Sequence, residues 1–435
     1  MDIDLSKIKK VFFVGVGGIG ISAIAQMLFL SGKEVSGSDM SESVVTRSLE
    51  DLGVRVTIGQ DFSLIPKDAD LIVYTTAIPH YDPKLFELIS SSGIPSKSYP
   101  QMLGIVTADK FTIAVSGTHG KTTTTAMIAK VLIEAKMDPS VIVGSLLKEY
   151  KSNLVSGKSK FFVVEACEYE RSFLNINPKI LVITNIEEDH LDYYKDMADI
   201  QRAFSELIAQ TGDVVVCNGE DKNVKNLVAG YKGKIVDYSK YLDKVPKLSV
   251  PGVHNRMNAA AAMSVASLLS VKEDISQKAL AEFSGTWRRL EKRGETKEGA
   301  IVYDDYAHHP TEIKASLQAL RELYPKDKNK ITVLFQPHLY SRTKALFNEF
   351  VKSFQDADRV LLLPIYFARE LKDESISSEK LAQAVSLIGQ ESMAYPDFKS
   401  AEVGVLSLKL GSKDVLVTMG AGEAFKVTDE LFKFS

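Results

Sequence analysis

The sequence predicts an α/β protein of three domains, and three observations carry that prediction. Short apolar runs alternate with polar helical segments, the pattern of parallel sheets with crossover helices. Two glycine-rich turns, Gly15-Val16-Gly17-Gly18-Ile19-Gly20 and Gly117-Thr118-His119-Gly120-Lys121-Thr122, each follow a strand-like run and open a helical one. The length of 435 residues is enough for about three domains of ordinary size. Boundaries fall where composition breaks, near residues 98–110 and at Ser284-Gly285-Thr286, which gives domains over 1–107, 108–284 and 285–435.

Composition narrows the ligands. With 53 basic and 56 acidic residues the net charge is -3, and no Lys/Arg block is long enough for a nucleic-acid tail, so small molecules are expected. Cys167 and Cys217 are the two cysteines, too few for a disulfide framework, which points to a reducing cytoplasm. Cys167 is expected to be a small buried hydrophobe rather than a reactive thiol.

In the first domain, residues 8–16 read as a buried strand, 19–31 as a helix and 33–38 as a second strand, with a further apolar run at 69–76. Residues 11–30 are nearly all apolar and follow Lys9-Lys10, which imitates a signal peptide or a membrane span. Four glycines, Gly15, Gly17, Gly18 and Gly20, cluster where a spanning helix should be most regular, and Lys33-Glu34 resumes a strand, so a folded strand, turn and helix is expected and no membrane. Asp39 ends the second strand 19 residues after Gly20, completing a dinucleotide fingerprint. On spacing alone the turn fits NAD, another diphosphate such as a nucleotide sugar, or a purely structural role.

The second turn departs from the common P-loop, because the residue five before Gly120 is Val115. Its chemistry is nevertheless that of a nucleotide triphosphate site. Backbone N–H groups of Gly117, Thr118, His119 and Gly120 can approach a polyphosphate, and the helix that opens at Lys121-Thr122-Thr123 favours negative charge. Lys121 can reach the β/γ-phosphates and Thr122 can offer its hydroxyl to Mg2+. Strand-like runs at 160–165 and 179–184 end in Glu165 with Glu168, and in Asn185 through Asp189-His190. Strand C-termini of a parallel sheet gather on one edge with the loop, which places Glu165 and His190 as metal ligands facing a triphosphate. Histidine is an unusual ligand for so hard an ion. The plainer alternative makes Glu165 a helix-start acid and His190 a cap or a core hydrogen-bonder.

From Pro251 the chain reads as a turn and an alanine-rich helix that begins at about Asn255. The third domain follows, with strands at 300–304, 330–335, 358–363 and 414–419; polar residues close the first two, Asp304 to Pro310 and Gln336 to Arg342. The seven histidines, His80, His119, His190, His254, His308, His309 and His338, each lie just after a strand-like run or in a marked turn, which suggests one cleft shared between domains.

With these pieces in order the chain resembles the Mur ligase family over its whole length, and within it the alanine-adding branch. The resemblance rests on GVGGIGISAIA at 15–25, GTHGKTTTT at 117–125, EACEYERSF at 165–173, TNIEEDHLDYY at 184–194, PGVHNRMNA at 251–259, RRLE at 288–291, DDYAHHPTE at 304–312 and FQPHLYSRT at 335–343. It implies a Rossmann-like N-terminal domain that binds the UDP part of the substrate, a central P-loop ATPase-like domain that binds ATP, and a Rossmann-like C-terminal domain that closes over both and receives the amino acid. UDP is thereby favoured over NAD at Gly15, Gly17, Gly18, Ile19, Gly20 and Asp39. Gly117 to Thr123 would cradle the ATP phosphates, with Thr122 on Mg2+, Glu165 close to it and His190 as a second-metal histidine. Asn255 and Asn258 match residues near the adenine, Arg289 a phosphate or ribose contact, and Asp305 a ribose or closure contact. Tyr306, His308 and Arg342 match residues near the incoming amino acid.

The activity implied is ATP-dependent addition of L-alanine to the lactyl carboxylate of UDP-N-acetylmuramate through an acyl phosphate, in cytoplasmic peptidoglycan precursor synthesis, by a monomer or homodimer. Lys121 and the metals would offset charge on the phosphoryl group, His190 or His308 could take the amine proton, and Arg342 would hold the alanine carboxylate. A related ligase that joins a tripeptide to the same nucleotide sugar, an NAD-dependent oxidoreductase and a non-catalytic nucleotide-sugar binder are the alternatives. The oxidoreductase leaves the P-loop unexplained, and the presence of Lys121, Glu165 and His190 disfavours the non-catalytic reading. Measured against the family, Leu339 stands where many relatives have Arg, and Cys167 where many have Asp. The lysine that some Mur ligases carbamylate has no counterpart near Phe204, and the stretch between Asp221 and Pro251 is too short for the usual antiparallel strands, which predicts a trimmed central sheet.

Overall fold

The computed structural model describes residues 3–367 and 370–432. Three sheets succeed one another along the chain. The first is parallel, with β1 (Lys10–Val14), β2 (Glu34–Asp39), β3 (Arg55–Ile58), β4 (Leu71–Tyr74) and β5 (Ser96–Ser98) in the order β3-β2-β1-β4-β5. The second contains β6 (Phe111–Ser116), β7 (Ser140–Leu147), β8 (Ser152–Val155), β9 (Phe161–Glu165), β10 (Ile180–Ile183), β11 (Val214–Cys217) and β12 (Lys234–Asp237), in the order β12-β11-β10-β6-β9-β7-β8. The third contains β13 (Glu291–Glu295), β14 (Ile301–Asp305), β15 (Lys330–Phe335), β16 (Arg359–Leu362), β17 (Glu391–Ala394) and β18 (Asp414–Met419), in the order β13-β14-β18-β15-β16-β17. Only the β7–β8 and β13–β14 pairs are antiparallel among the described residues.

The central strands are Val/Ile-rich and buried along their length, as β10 and β11 show, because helices cover both faces of a parallel sheet. Five helices matter to the sites: α1 (Ile19–Leu30), α2 (Lys121–Glu134), α3 (Val253–Leu268), α4 (Pro310–Leu323) and α5 (Tyr340–Ala345). The apolar run at 11–30 is thus β1, a glycine turn and α1, and no helix among the described residues is long and apolar enough to cross a membrane. Helix α1 is buried almost all round, including the polar Ser22 and Gln26, because the β7–β8 hairpin packs on it. Asn153 on β8 donates to Ile19 O and to Ser22 Oγ at 2.9 Å and accepts from Gln26 Nε2 at 2.8 Å. The short segment after Asp221 holds a helix (Lys222–Val228), the parallel edge strand β12 and a 3-10 turn (Tyr238–Lys244), with no antiparallel strand among the described residues.

The chain forms two compact units. One takes the residues up to Glu187, Ala198–Lys244 and Ala259–Leu280, and so holds the first two sheets; the other takes Glu188–Met197, Val245–Asn258 and the chain from Ala281, with the third sheet.

Candidate functional sites

In the first unit, β6 is the central strand of its sheet, and the chain reverses direction of growth there, with β9 on one side and β10 on the other. Such a switch point leaves a crevice at the strand C-termini. Gly117 turns out of β6 with φ +130°, and a Cβ there would lie 2.1 Å from Thr184 Oγ1. Gly120 has φ +81° and leads into α2. The loop is fastened from the β10 side. His119 N–H donates to Asn185 Oδ1 at 2.9 Å, and His119 O accepts from Asn185 Nδ2 at 3.0 Å and Thr184 Oγ1 at 2.6 Å. Thr118 Oγ1 accepts from Glu187 N at 2.8 Å.

Lys121 folds back over this loop, its Nζ donating to Gly117 O at 2.6 Å, Thr118 O at 3.1 Å and Glu168 Oε1 at 2.9 Å. Burial works to lower the pKa of this ammonium, but the Glu168 carboxylate and its neighbours hold it above the ordinary lysine value. Thr122 Oγ1 donates to Glu165 Oε1 at 3.0 Å, and Glu165 Oε2 accepts from Gly144 N at 2.7 Å. A hydroxyl and a carboxylate side by side at a phosphate loop form an all-oxygen set, which suits Mg2+. Thr123 is buried in the same first turn. Cys167 corrects the expectation of a buried hydrophobe: it is exposed, because it lies in the irregular segment between β9 and the next 3-10 turn, whereas Cys217 is buried in β11.

The first glycine turn is held differently. Gly15 has φ +75°, Gly17 N–H donates to Asp39 Oδ2 at 2.8 Å, and Ser41 N–H donates to Asp39 Oδ1 at 3.3 Å. Asp39 therefore braces the turn from β2. Gly18 caps α1, Ile19 begins it, and a Cβ at Gly20 would meet the Tyr99 ring at 2.6 Å.

In the second unit, the end of β14 carries Asp305, Tyr306, His308 and His309. Asp305 is buried, with Oδ1 accepting from Ala307 N at 3.2 Å and Oδ2 from the Ser316 hydroxyl. Burial pushes its pKa up to about 6, against the lowering effect of Ser316 and Arg289. His309 caps α4, with Pro310 in the first turn and Glu312 completing the capping box. Glu312 Oε2 accepts from His308 N at 3.0 Å, and His308 Nδ1 donates to Tyr306 O at 3.0 Å, so Nε2 carries the lone pair. Burial pushes His308 down to about 4, which leaves the ring neutral at pH 7. The rings of Tyr306 and His338 lie 5.4 and 6.0 Å from that of His308.

Arg342, on α5, donates from Nε and Nη2 to Asp189 Oδ1 at 3.1 and 2.8 Å, and its Nη1 lies 3.3 Å from His338 Nδ1. Burial opposes ionisation of Asp189, yet the adjacent His190 ring and the Arg342 guanidinium hold its carboxyl far below the usual range. His190 follows in the left-handed region at φ +55°. Leu339, at φ +71° and buried, lines a cavity of about 90 Å³ with Leu191, Leu346 and Arg342. Arg288 is buried, its Nε on Asp304 Oδ2 at 2.8 Å and its terminal nitrogens on Gly420 O and Gly422 O at 2.8 and 3.0 Å. Arg289 beside it lies 5.0 Å over the Tyr306 ring. Asn255 and Asn258 occupy the first turns of α3, which begins at Val253, earlier than expected, because the Pro251-Gly252 turn ends there. Both are buried, Asn255 Nδ2 donating to Pro251 O at 2.7 Å and Asn258 Nδ2 to Asn255 Oδ1 at 3.3 Å.

Within the first unit the loop from Gly117 to Thr123 meets Glu165, and Asp39 braces the turn from Gly15 to Gly20. Within the second, the His308 ring lies against those of Tyr306 and His338, and Arg342 reaches His338 Nδ1; His190 also belongs to that unit. His80 is exposed, with Nε2 2.7 Å from Glu170. Sequence reasoning gave no role to Glu168, Asp189, Glu312 or His338. Glu312 had a signal, the four-residue step from His308 into a capped helix; Glu168, Asp189 and His338 were marked by their places after strand-like runs, but their partners depend on contacts that spacing does not reveal.

Models of three domains match this chain: the Mur ligase family, catalytic domain, at residues 10–111, the Mur ligase middle domain at 115–245, and the Mur ligase, glutamate ligase domain at 288–422. A UDP-N-acetylmuramate–L-alanine ligase from Agathobacter rectalis is 39% identical over 462 residues, covering 99% of each chain. One of the same description from Clostridium kluyveri is 41% identical over 457 residues, covering 98% of each. Among solved structures, a UDP-N-acetylmuramate-alanine ligase from Thermotoga maritima superposes with a TM-score of 0.81 at 27% identity, over 97% of this chain and 98% of that one.

Proposed function

The chain belongs to the Mur ligase family, and from that premise we infer that it is an ATP-dependent ligase joining L-alanine to the lactyl carboxylate of UDP-N-acetylmuramate, a step of peptidoglycan precursor synthesis. The observation that carries the reading is the phosphate loop on the central strand of the seven-stranded sheet, with the Lys121 ammonium and the Thr122–Glu165 pair at its helix end. In this reading residues 1–107 hold the UDP part, 108–284 hold ATP and 285–435 receive the amino acid, with Asn255, Asn258 and Arg289 toward the nucleotide.

The lactyl carboxylate takes the γ-phosphoryl group, ADP leaves, and the alanine amine then displaces phosphate as the amide forms. Lys121 sets a fixed positive charge against the phosphoryl oxygens, and the loop N–H groups orient them. Thr122 and Glu165 would hold Mg2+, with His190 a candidate for a second ion; bound there, the cation offsets negative charge on the phosphates. His308 is neutral, with Nε2 as its lone-pair nitrogen, which supports it over His190 as the group that accepts the amine proton. Arg342 receives the alanine carboxylate.

The test is phosphate release from ATP and Mg2+ with UDP-N-acetylmuramate present, adding L-alanine, the tripeptide or neither. Release that requires L-alanine supports the assignment. Dependence on the tripeptide would transfer the chain to the related ligases that join a tripeptide to the same nucleotide sugar, and no release under any condition would leave a nucleotide-sugar binder.

A further inference from the structure

Asp189 is a buried charge for which the reaction described above has no use. Its side chain is 8% exposed, and a single oxygen, Oδ1, accepts three N–H groups: His190 N at 2.7 Å, Arg342 Nη2 at 2.8 Å and Arg342 Nε at 3.1 Å. The other oxygen faces the His190 ring, with Nε2 at 3.9 Å. A carboxylate withdrawn from water to this degree is costly unless paired and hydrogen-bonded, and here all the pairing goes to two neighbours of stated interest.

The first neighbour is the turn at His190. Its left-handed backbone, φ +55°, is one that side chains other than glycine adopt at a cost, so something must hold it. Below it, His190 O accepts from Tyr193 N and Tyr194 N, both at 2.9 Å; above it, Asp189 Oδ1 takes the His190 N–H. The second neighbour is the guanidinium. With two N–H groups on Asp189 and Nη1 toward His338, three of its five donors are engaged among the described residues, and one remains on each terminal nitrogen. The Nη1–Nη2 end of a guanidinium is an edge that takes a carboxylate in two parallel bonds.

We propose that Asp189 is a positioning residue: its carboxylate fixes the His190 turn and grips the Nε–Nη2 edge of Arg342, so that the Nη1–Nη2 end of the guanidinium is presented to the carboxylate of the incoming amino acid. The role of that carboxylate rests on the ligase reading; the coupling of the turn to the guanidinium does not. A salt bridge serving stability alone would be indifferent to which substrate is varied.

The experiment assays the full-length protein, Asp189→Ala and Asp189→Asn by phosphate release, varying each substrate in turn. Asp189→Ala is expected to raise KM for L-alanine about 10- to 100-fold while KM for UDP-N-acetylmuramate stays within about twofold, with Asp189→Asn between, because the amide keeps an acceptor but not the charge. An alanine KM within about twofold of the parent in Asp189→Ala overturns the proposal. Should that variant fail to fold, Asp189→Asn decides by the same criterion. If the parent itself shows no alanine-dependent release, the ligase reading has failed, and crystal structures of the variants decide the coupling: a displaced His190 turn and guanidinium support it, and both unmoved overturn it.

Discussion

Lys121 already has its ammonium on Gly117 O, Thr118 O and Glu168, so nucleotide binding must exchange part of that set for phosphate oxygens. Replacing it with alanine removes a fixed charge from the phosphoryl group, and Lys121→Ala is expected to lower kcat by about 10²- to 10³-fold or more. UDP-N-acetylmuramate affinity, measured by calorimetry, should stay within about twofold, since in the proposed division the loop of the first sheet holds it. Two titratable groups in the other unit give opposite responses to pH. His254 is pushed from 6.5 down to about 4 by burial, so its contribution to stability is complete above pH 6.5 and is lost as pH falls through about 4. Asp305 is raised from 3.8 to about 6, so its contribution is complete below pH 3.8 and is lost as pH rises through about 6. Asp305→Asn, which keeps acceptor and donor for Ala307 and Ser316, should therefore raise Tm at pH 7, and the gain should vanish near pH 4. The gap of roughly two pH units corresponds to at most about 3 kcal/mol. His254→Asn should flatten the loss of Tm between pH 6.5 and 4. A parent and variant with parallel Tm profiles would refute either statement.

The elements that the sequence made legible are those with a period or a punctuation mark. β1 and β6 are buried apolar runs that end in glycine turns, and α1 and α2 open directly from those turns. The strands that escaped are chiefly edges and hairpins. β5 is Ser-Lys-Ser, β13 is Glu-Lys-Arg-Gly-Glu and β17 is Glu-Ser-Met-Ala, sequences whose strand character comes from the neighbour they pair with and not from any alternation of their own. β11, four buried apolar residues, is too short for periodicity to tell from a helix segment. The site shows the same division. The phosphate loop could be read because its chemistry is local; the Lys121–Glu168 and Arg342–Asp189 pairs join residues 47 and 153 positions apart, which no local pattern can announce. Two predictions belong to this scale. Gly117→Ala would place a Cβ 2.1 Å from Thr184 Oγ1 at a backbone angle of φ +130°, and should abolish ATP-dependent phosphate release. Asn153→Ala would strip partners from Gln26, Ser22 and Ile19 O beneath the hairpin, at a cost of about 2–4 kcal/mol in chemical unfolding.

Across the whole molecule the same device recurs, a parallel sheet with its polar residues at the strand C-termini, and this is why three glycine- and histidine-marked turns could be recognised at once. Within the second unit the His308 ring lies against those of His338 and Tyr306; within the first, His80 pairs with Glu170. The first two sheets are not separate bodies, although the family's domain models divide them at 111 and 115. The reason is the Asn153 contact set and the aliphatic sides of α1 that the β7–β8 hairpin covers. A boundary drawn in sequence is therefore not a line along which the protein can be cut. Residues 1–107 expressed alone would expose an oily helix with an orphaned glutamine at its middle, and such a fragment should aggregate; grafting a foreign nucleotide-binding domain onto the rest would require carrying the hairpin with it.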